Sequence, residues 1–297
     1  MELAYYPGCT VKSTAKNFEI SAIASAKVLD IEFIELPRWT CCGTVFSLAS
    51  DDVMHQVAPI RNLLRVQEMK KDRVVTLCSM CYNTLKRSNL LVKKNKEVLD
   101  KINNYMYEEP EKYQAGVEVV HFLEVLDQDV GFEKIKQFVK KPLKGLKVVP
   151  YYGCTLLRPR DVGIDDAESP TIMEKLLKAL GAEVINDPMK TECCGAYHTV
   201  ERKHIIKERT YKIISSAVAR GGEALVLSCP LCDYNLDKFQ MDVAREHPGF
   251  HPIPVFYFTQ LMALAFGLDE SALGLEYNYT DPKPLLLEKN LLGAGSE

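Results

Sequence analysis

Cys41-Cys42-Gly43 is the stretch that decides how this chain is read, because it returns as Cys193-Cys194-Gly195. Each vicinal pair has the same partners on either side. Upstream of the first lies Cys9, 31 residues away, and downstream lies Cys78-x-x-Cys81, 35 residues away. Upstream of the second lies Cys154, at 38 residues, and downstream Cys229-x-x-Cys232, at 34. The two sets use all ten cysteines of the chain. The order C…CC…CxxC does not arise twice by chance, so the chain is a tandem repeat whose cysteines are there for chemistry.

Further out, each half opens on a short apolar strand that runs into its first cysteine. Tyr5-Tyr6-Pro7-Gly8-Cys9-Thr10 matches Tyr151-Tyr152-Gly153-Cys154-Thr155 almost letter for letter. A glycine beside the cysteine permits a positive φ or a close backbone approach. The pattern then predicts a helix capped by Ser13 and running to about Leu29, with a counterpart from Ser169 to Leu180 that stops at Gly181. Cys9 to Cys41 is 32 positions and Cys154 to Cys193 is 39, so the second half carries seven extra residues, placed in the loop 156–168. Strands are expected at 31–36 and 182–186, followed by the Cys-Cys-Gly turns and by long helices at about 51–71 and 200–220. Apolar strands 73–77 and 224–227 deliver the CxxC pairs. A lysine-rich helix spans 82–105. A strand and helix close each half, at 117–126 and 253–268.

Alternation of this kind predicts an α/β fold made of two tandem domains, each a parallel sheet with flanking helices. Every cysteine group falls just after a strand, at the sheet edge where open parallel sheets bind ligands. The basic segment 127–146 reads as a linker, dividing the chain into domains 1–140 and 141–297. The tail after Asp281 reads as a peripheral extension.

A length of 297 residues, with 47% hydrophobic and 26% charged residues, fits a globular protein of roughly two domains. A net charge of −3 leaves no basic footprint for nucleic acid. No apolar run approaches the ~20 residues of a membrane span, and the N-terminus has no signal-like pattern. These features predict a cytoplasmic protein with no direct membrane span. There, ten cysteines point to metal or redox chemistry rather than to disulfides.

Four thiolates suit zinc or a cubane iron–sulfur cluster. Each half offers five. Adjacent residues do not easily chelate one tetrahedral ion and fit better on two irons of a polynuclear site. Zinc remains an alternative at this point, though not the favoured one.

The spacings Cx31CCx35CxxC and Cx38CCx34CxxC resemble the cysteine-rich CCG domain, and two complete copies resemble the B subunits of heterodisulfide reductases from methanogens. The resemblance covers about residues 1–270. It implies two pseudo-twofold-related CCG domains, each with one noncubane [4Fe-4S] cluster. Cys9, Cys41, Cys42, Cys78 and Cys81 would hold the first, and Cys154, Cys193, Cys194, Cys229 and Cys232 the second. Gly43 and Gly195 would let a substrate sulfur approach iron. The implied reaction splits the disulfide of coenzyme M and coenzyme B into two thiols, with no catalytic residue required beyond the clusters. The implied partners are a small subunit with two cubane [4Fe-4S] clusters and a flavin subunit working with hydrogenase or formate dehydrogenase. Relatives also serve in thiol:fumarate reductases and dehydrogenase complexes, so an electron-transfer subunit is the alternative function.

Among the remaining residues, His198 is a candidate proton donor or anion ligand, and equally a helix-start histidine. The coenzymes are anionic, so Lys12, Lys16, Arg158 and Arg160, which follow the first cysteine of each set, are candidate cations; most such charges are simply solvated. Trp39 either walls the site or packs in the core.

Overall fold

The computed structural model describes residues 1–44 and 53–293. The first half contains strands β1 (Glu2–Tyr5), β2 (Glu32–Glu35), β3 (Arg73–Thr76) and β4 (Glu118–His121). The second contains β5 (Lys147–Pro150), β6 (Glu183–Val184), β7 (Ala224–Leu227) and β8 (Val255–Tyr257). All neighbours pair in parallel, in the orders β2-β1-β3-β4 and β6-β5-β7-β8. The two sheets are therefore the same topology used twice, as the cysteine repeat requires. Central strands β3 and β7 read Arg-Val-Val-Thr and Ala-Leu-Val-Leu and are buried apart from Arg73, as expected for sheets covered on both faces. Edge strand β2 reads Glu-Phe-Ile-Glu and keeps both glutamates exposed.

The flanking helices fall close to their expected places, with physical reasons for the shifts. The first runs Lys16–Val28 and has no side-chain cap. Ser13 instead donates its hydroxyl to the Cys9 carbonyl at 2.9 Å. The segment expected as one helix over 82–105 is two, Ser79–Lys94 and Lys96–Tyr105. Asn95 breaks it, with φ −135°, and its side chain accepts the Val98 N–H at 3.1 Å. The helix expected from 51 is described from a 3-10 turn at Val53–Gln56 into Val57–Glu68; its first two positions lie outside the described residues. Helices Ile172–Ala179 and Lys203–Ala219 complete the matching pair in the second half.

The two halves share one hydrophobic core. The last buried helix of the second half, Phe258–Ala265, lies on the first helix of the first half. Phe18 stacks on Tyr257 with ring centroids 4.1 Å apart, Phe258 meets Phe18 edge-on at 5.7 Å, and the Ser21 and Thr259 hydroxyls bond at 2.7 Å. All eight residues of Phe258–Ala265 are buried, so its apolar run serves this interface. The segment 127–146 is folded rather than a bare linker. It holds part of a π-helical turn (Val125–Val130) and the helix Phe132–Gln137. Ile135, Leu143 and Leu146 anchor it in the core, and the Lys140 and Lys141 amides both reach the Ala265 carbonyl at 2.9 Å. The tail after Asp281 forms the helix Lys283–Glu288, with Leu286 buried. Among the described residues, no helix is long and apolar enough to cross a membrane.

Candidate metal centre

The strand order reverses at β1/β3 and at β5/β7, and the cysteines gather at the carboxyl ends of these strands. Crevices form there because the two connections leave in opposite directions. Cys9 follows β1, Cys41-Cys42 follow β2, and Cys78 follows β3. Cys78 and Cys229 are each the N-cap of the following helix, in extended conformation, with Cys81 and Cys232 three residues on. The open amides of a helix start therefore face both thiols of each pair.

The ten sulfurs form one continuous run. Cys9 Sγ lies 3.9 Å from Cys41 Sγ. Cys42 interacts with Cys41 and Cys81, and Cys81 with Cys78. Cys78 interacts with Cys229 across the boundary between the halves. The run then returns in mirror order: Cys229 to Cys232, Cys232 to Cys194 at 3.4 Å, Cys194 to Cys193, and Cys193 to Cys154. The inner members are buried. The outer ends reach the surface, with Cys9 and Cys41 exposed and Cys154 and Cys193 half-buried. At the centre the Ser79 and Ser228 hydroxyls bond at 2.8 Å, and the Ser79 amide donates to the Ser228 carbonyl at 3.3 Å. Among the described residues, no three His, Cys, Asp or Glu side chains converge as a single ion would need.

The loops that hold these sulfurs are built alike in both halves. Tyr6 donates its hydroxyl to the Thr40 carbonyl at 2.8 Å, and Tyr151 donates to the Glu192 carbonyl at 2.6 Å. Both acceptors immediately precede the vicinal cysteines. Burial, reinforced by the neighbouring thiolates, raises both phenols far above their ordinary value, so each remains a donor. Gly8 and Gly153 adopt positive φ, and a Cβ on either would meet the second CxxC sulfur, at 2.8 Å from Cys81 Sγ and 3.3 Å from Cys232 Sγ. The glycines of the Cys-Cys-Gly turns serve differently. Gly43 has φ +74°, and a Cβ there would make only an ordinary contact with Ala58 at 3.7 Å, while Gly195 has φ +86° and a Cβ there would press on Ile206 at 3.0 Å. The Gly195 amide donates to Cys193 Sγ at 3.3 Å.

Crowding divides the thiols into two kinds. Hydrogen bonds from Cys41 and Cys81 hold Cys42 well below the ordinary thiol range. Cys154 and Cys194 do the same for Cys193, and Cys232 and Cys78 for Cys229. Four others move the other way: Cys41 raises Cys9, Cys193 raises Cys154 and Cys194, and Cys194 raises Cys232. A donor set of sulfur alone, mostly buried, with amides aimed at it and glycines cut away beside it, fits an iron–sulfur group.

The other expected residues are placed less favourably. Lys12 is held by Glu19 at 2.8 Å and Glu35 at 2.7 Å. Arg158 is spent on the Thr191 and Ala167 carbonyls and on Glu168. Arg160 lies in an acidic surface hollow with Asp165, Asp166 and Glu168. Lys16 is exposed at a helix start. His198 sits half-buried at the end of the turn Ala196–His198, just after Gly195. Trp39 lies edge-on to Tyr6 at 5.9 Å and donates to Glu35. A cation that placement alone did not single out is Arg87. It lies on the first-half helix Ser79–Lys94, and its charge is felt at Tyr197 together with those of Cys154 and Cys193. Tyr197 is 46% exposed, and burial with the two thiols raises its phenol to about 12. The sequence carries no signal for Arg87, because its helix meets the second set only through tertiary contacts such as that of Asn83, one turn earlier, with the Thr155 carbonyl.

Comparison with known proteins agrees with this architecture. The family described as "Cysteine-rich domain" (CCG) matches residues 3–86 and 148–237, more than half of the chain. The 8-methylmenaquinol:fumarate reductase membrane anchor subunit of Wolinella succinogenes is 35% identical, over 96% of this chain and 99% of its own length. Among the B subunits of heterodisulfide reductases, that of the ferredoxin/F420H2-dependent CoB-CoM enzyme of Methanosarcina acetivorans is 30% identical, over 93% of each chain. A crystal structure of a hypothetical protein from Helicobacter pylori superposes with a TM-score of 0.77 at 12% identity, covering 94% of this chain and 51% of that one, which is a likeness of fold. The relatives' names suggest an oxidoreductase that works in a complex with other subunits. The name of the Wolinella relative includes a membrane anchor, which pulls against the expectation of a cytoplasmic location. With two CCG domains, ten cysteines in one run, and relatives of this extent, the chain belongs to the CCG cysteine-rich family as a heterodisulfide reductase-type iron–sulfur subunit.

Proposed function

We propose that this chain is the disulfide-reducing subunit of its complex, converting the coenzyme M–coenzyme B heterodisulfide to the two thiols with two electrons and two protons. The observation that carries the reading is the mirror-ordered run of ten cysteines, complete in both halves, with both outer ends at the surface. In this proposal the set Cys9, Cys41, Cys42, Cys78 and Cys81 and the set Cys154, Cys193, Cys194, Cys229 and Cys232 each hold one noncubane [4Fe-4S] cluster. When bound, such clusters supply single electrons and an iron that acts as a Lewis acid toward sulfur. The chain's own residues bind and orient the substrate. Arg87, whose charge is felt at Tyr197, is the proposed partner for an anionic end of the substrate, and Tyr197, which keeps its proton at neutral pH, the proposed hydrogen-bond donor beside it. The electrons arrive from a small cubane-cluster subunit, itself fed by a flavin subunit and a hydrogenase or formate dehydrogenase.

A second reading, an electron-transfer subunit of a fumarate reductase-type complex, draws support from the 35% identity to the Wolinella subunit. Anaerobic iron and sulfide analysis with EPR separates the two. The disulfide-reducing reading expects about eight irons per chain and a signal that shifts on adding coenzyme M. A loaded protein whose signal ignores the thiol, and which reduces no disulfide, would leave the transfer role. Arg87→Ala is expected to raise KM for an anionic disulfide about tenfold or more, as loss of a charge-assisted hydrogen bond does, with little change for an uncharged disulfide. Equal effects on both substrates would remove Arg87 from the site.

A further inference from the structure

The seven extra residues of the second half have a defined destination. The loop 156–168 leaves Cys154 and lies on the first half's CxxC helix, Ser79–Lys94. The two residues after Cys81 reach across to it. Tyr82 donates its hydroxyl to the Val162 carbonyl at 2.7 Å, and Lys86 in turn donates to the Tyr82 oxygen. Asn83 gives both of its amide hydrogens to this loop, one to the Thr155 carbonyl and one to the Arg158 carbonyl, each at 2.7 Å. Thr155 is the residue next to Cys154. The same turn closes on itself through the Arg158 amide and the Cys154 carbonyl at 3.1 Å. Asn83 is 1% exposed, so this clamp is made out of water, where hydrogen bonds hold geometry most firmly.

Among the described residues, nothing reciprocal exists for the first set. The positions equivalent to Tyr82 and Asn83, counted from Cys232, are Asp233 and Tyr234. Tyr234 packs on Phe239 and Tyr279 of its own half. The Cys9 carbonyl is held locally, by Ser13. Cys9 is accordingly exposed while Cys154 is half-buried. The topological repeat is symmetric, but the support of its outermost cysteines is not.

The geometry points to Asn83, assisted by Tyr82, as the positioning residue of the second cysteine set, fixing Cys154 from the first half and tying its placement to the first half's Cys78/Cys81 turn. Among the described residues, the outer cysteine of the second set is thereby supported from the other half and that of the first set only from its own, so the two are inequivalent sites. A change at Cys81 is passed to Cys154 through two residues of one helix. The inference deepens the proposed function by making the second set the ordered one, and it rests on that reading only where metal is concerned.

The test is alkylation of the full chain, reduced and metal-free, and again after metal loading, with each cysteine quantified by peptide mass spectrometry. Asn83→Ala is expected to speed iodoacetamide capture of Cys154 in the metal-free chain by about fivefold or more, as loss of two buried hydrogen bonds allows, while Cys9 keeps its rate. Asn83→Asp, which turns a carboxylate toward two carbonyls, should exceed the alanine variant. Tyr82→Phe keeps the ring, loses the hydroxyl's bonds to Val162 and Lys86 but leaves both Asn83 bonds in place, and should give a smaller rise confined to Cys154. In loaded protein, the EPR signal of the second set should broaden, with the first unchanged. An unchanged Cys154 rate in folded Asn83→Ala overturns the proposal, as does a parallel rise at Cys9. Should Asn83→Ala not fold, an unchanged Cys154 rate in Tyr82→Phe does the same. Absence of iron with the Cys154-selective effect intact would count against the proposed function alone.

Discussion

Cys194→Ser is expected to lose the iron of the second set and to lower disulfide reduction more than about a hundredfold, beyond what loss of a ligand's outer partner costs. Cys194 is 1% exposed. Its sulfur lies 3.4 Å from Cys232 Sγ, and the Asn235 amide donates to it at 3.6 Å. A serine oxygen sits closer to its own Cβ and does not ionise near neutral pH, so it fills the slot without supplying a soft anionic ligand. Cys42→Ser is the matching change in the first set, where the wild-type thiol is already held low by Cys41 and Cys81. Each variant should keep about half of the total iron, because the sets belong to different halves. Iron analysis beside turnover checks this. Full iron with full turnover in either variant would remove the vicinal cysteine from the ligand set.

The α/β architecture was legible because it rests on local pattern. Strands such as Val74-Val75-Thr76 and helices such as Val57–Glu68 carry their own periodicity, and the cysteine order makes the repeat visible without any structure. The CxxC at a helix start also follows from sequence, since an apolar strand ends there and an amphipathic helix begins. What was hidden is tertiary. Nothing in the run Leu261 to Leu268 says that its helix will cover Phe18, and so the two expected domains share a core. Segment 127–146 reads as a linker because its charges outnumber Ile135, Leu143 and Leu146, yet those three are enough to fold it. Lys12 reads as free to grip an anion until the fold brings Glu19 and Glu35 to it, from a helix and an edge strand. The repeated Tyr-Tyr-(Pro)-Gly-Cys is visible as a motif. That Tyr6 and Tyr151 tie down the vicinal cysteines depends on a contact 34 or 41 residues away, which spacing alone does not reveal.

Gly8→Ala is expected to damage the first set as severely as loss of a ligand, although no cysteine is touched. Gly8 has φ +76°, and an added Cβ would stand 2.8 Å from Cys81 Sγ. The left-handed conformation alone costs an alanine about 1–2 kcal/mol. Crowding a packed core costs about 1–3 kcal/mol more. The second term is the one that acts on function, because a shift of Cys81 disturbs its interactions with Cys42 and Cys78. Other glycines separate the two terms. Gly131 has φ +82° with nothing within 4 Å of an added Cβ, so Gly131→Ala carries the conformational term alone. Gly43→Ala carries it too, with its nearest neighbour at 3.7 Å. Gly153→Ala should fall between, since its Cβ would meet Cys232 Sγ at 3.3 Å. The expected order of iron loss is Gly8 first, then Gly153, then Gly43, with Gly131 losing melting temperature and no iron. Iron content plotted against melting temperature for the four variants checks it. If the four fall on one line, the glycine beside the first cysteine serves the backbone alone; if Gly8 and Gly153 lie below the line of Gly43 and Gly131, the missing side chain is room that the metal-binding sulfur needs.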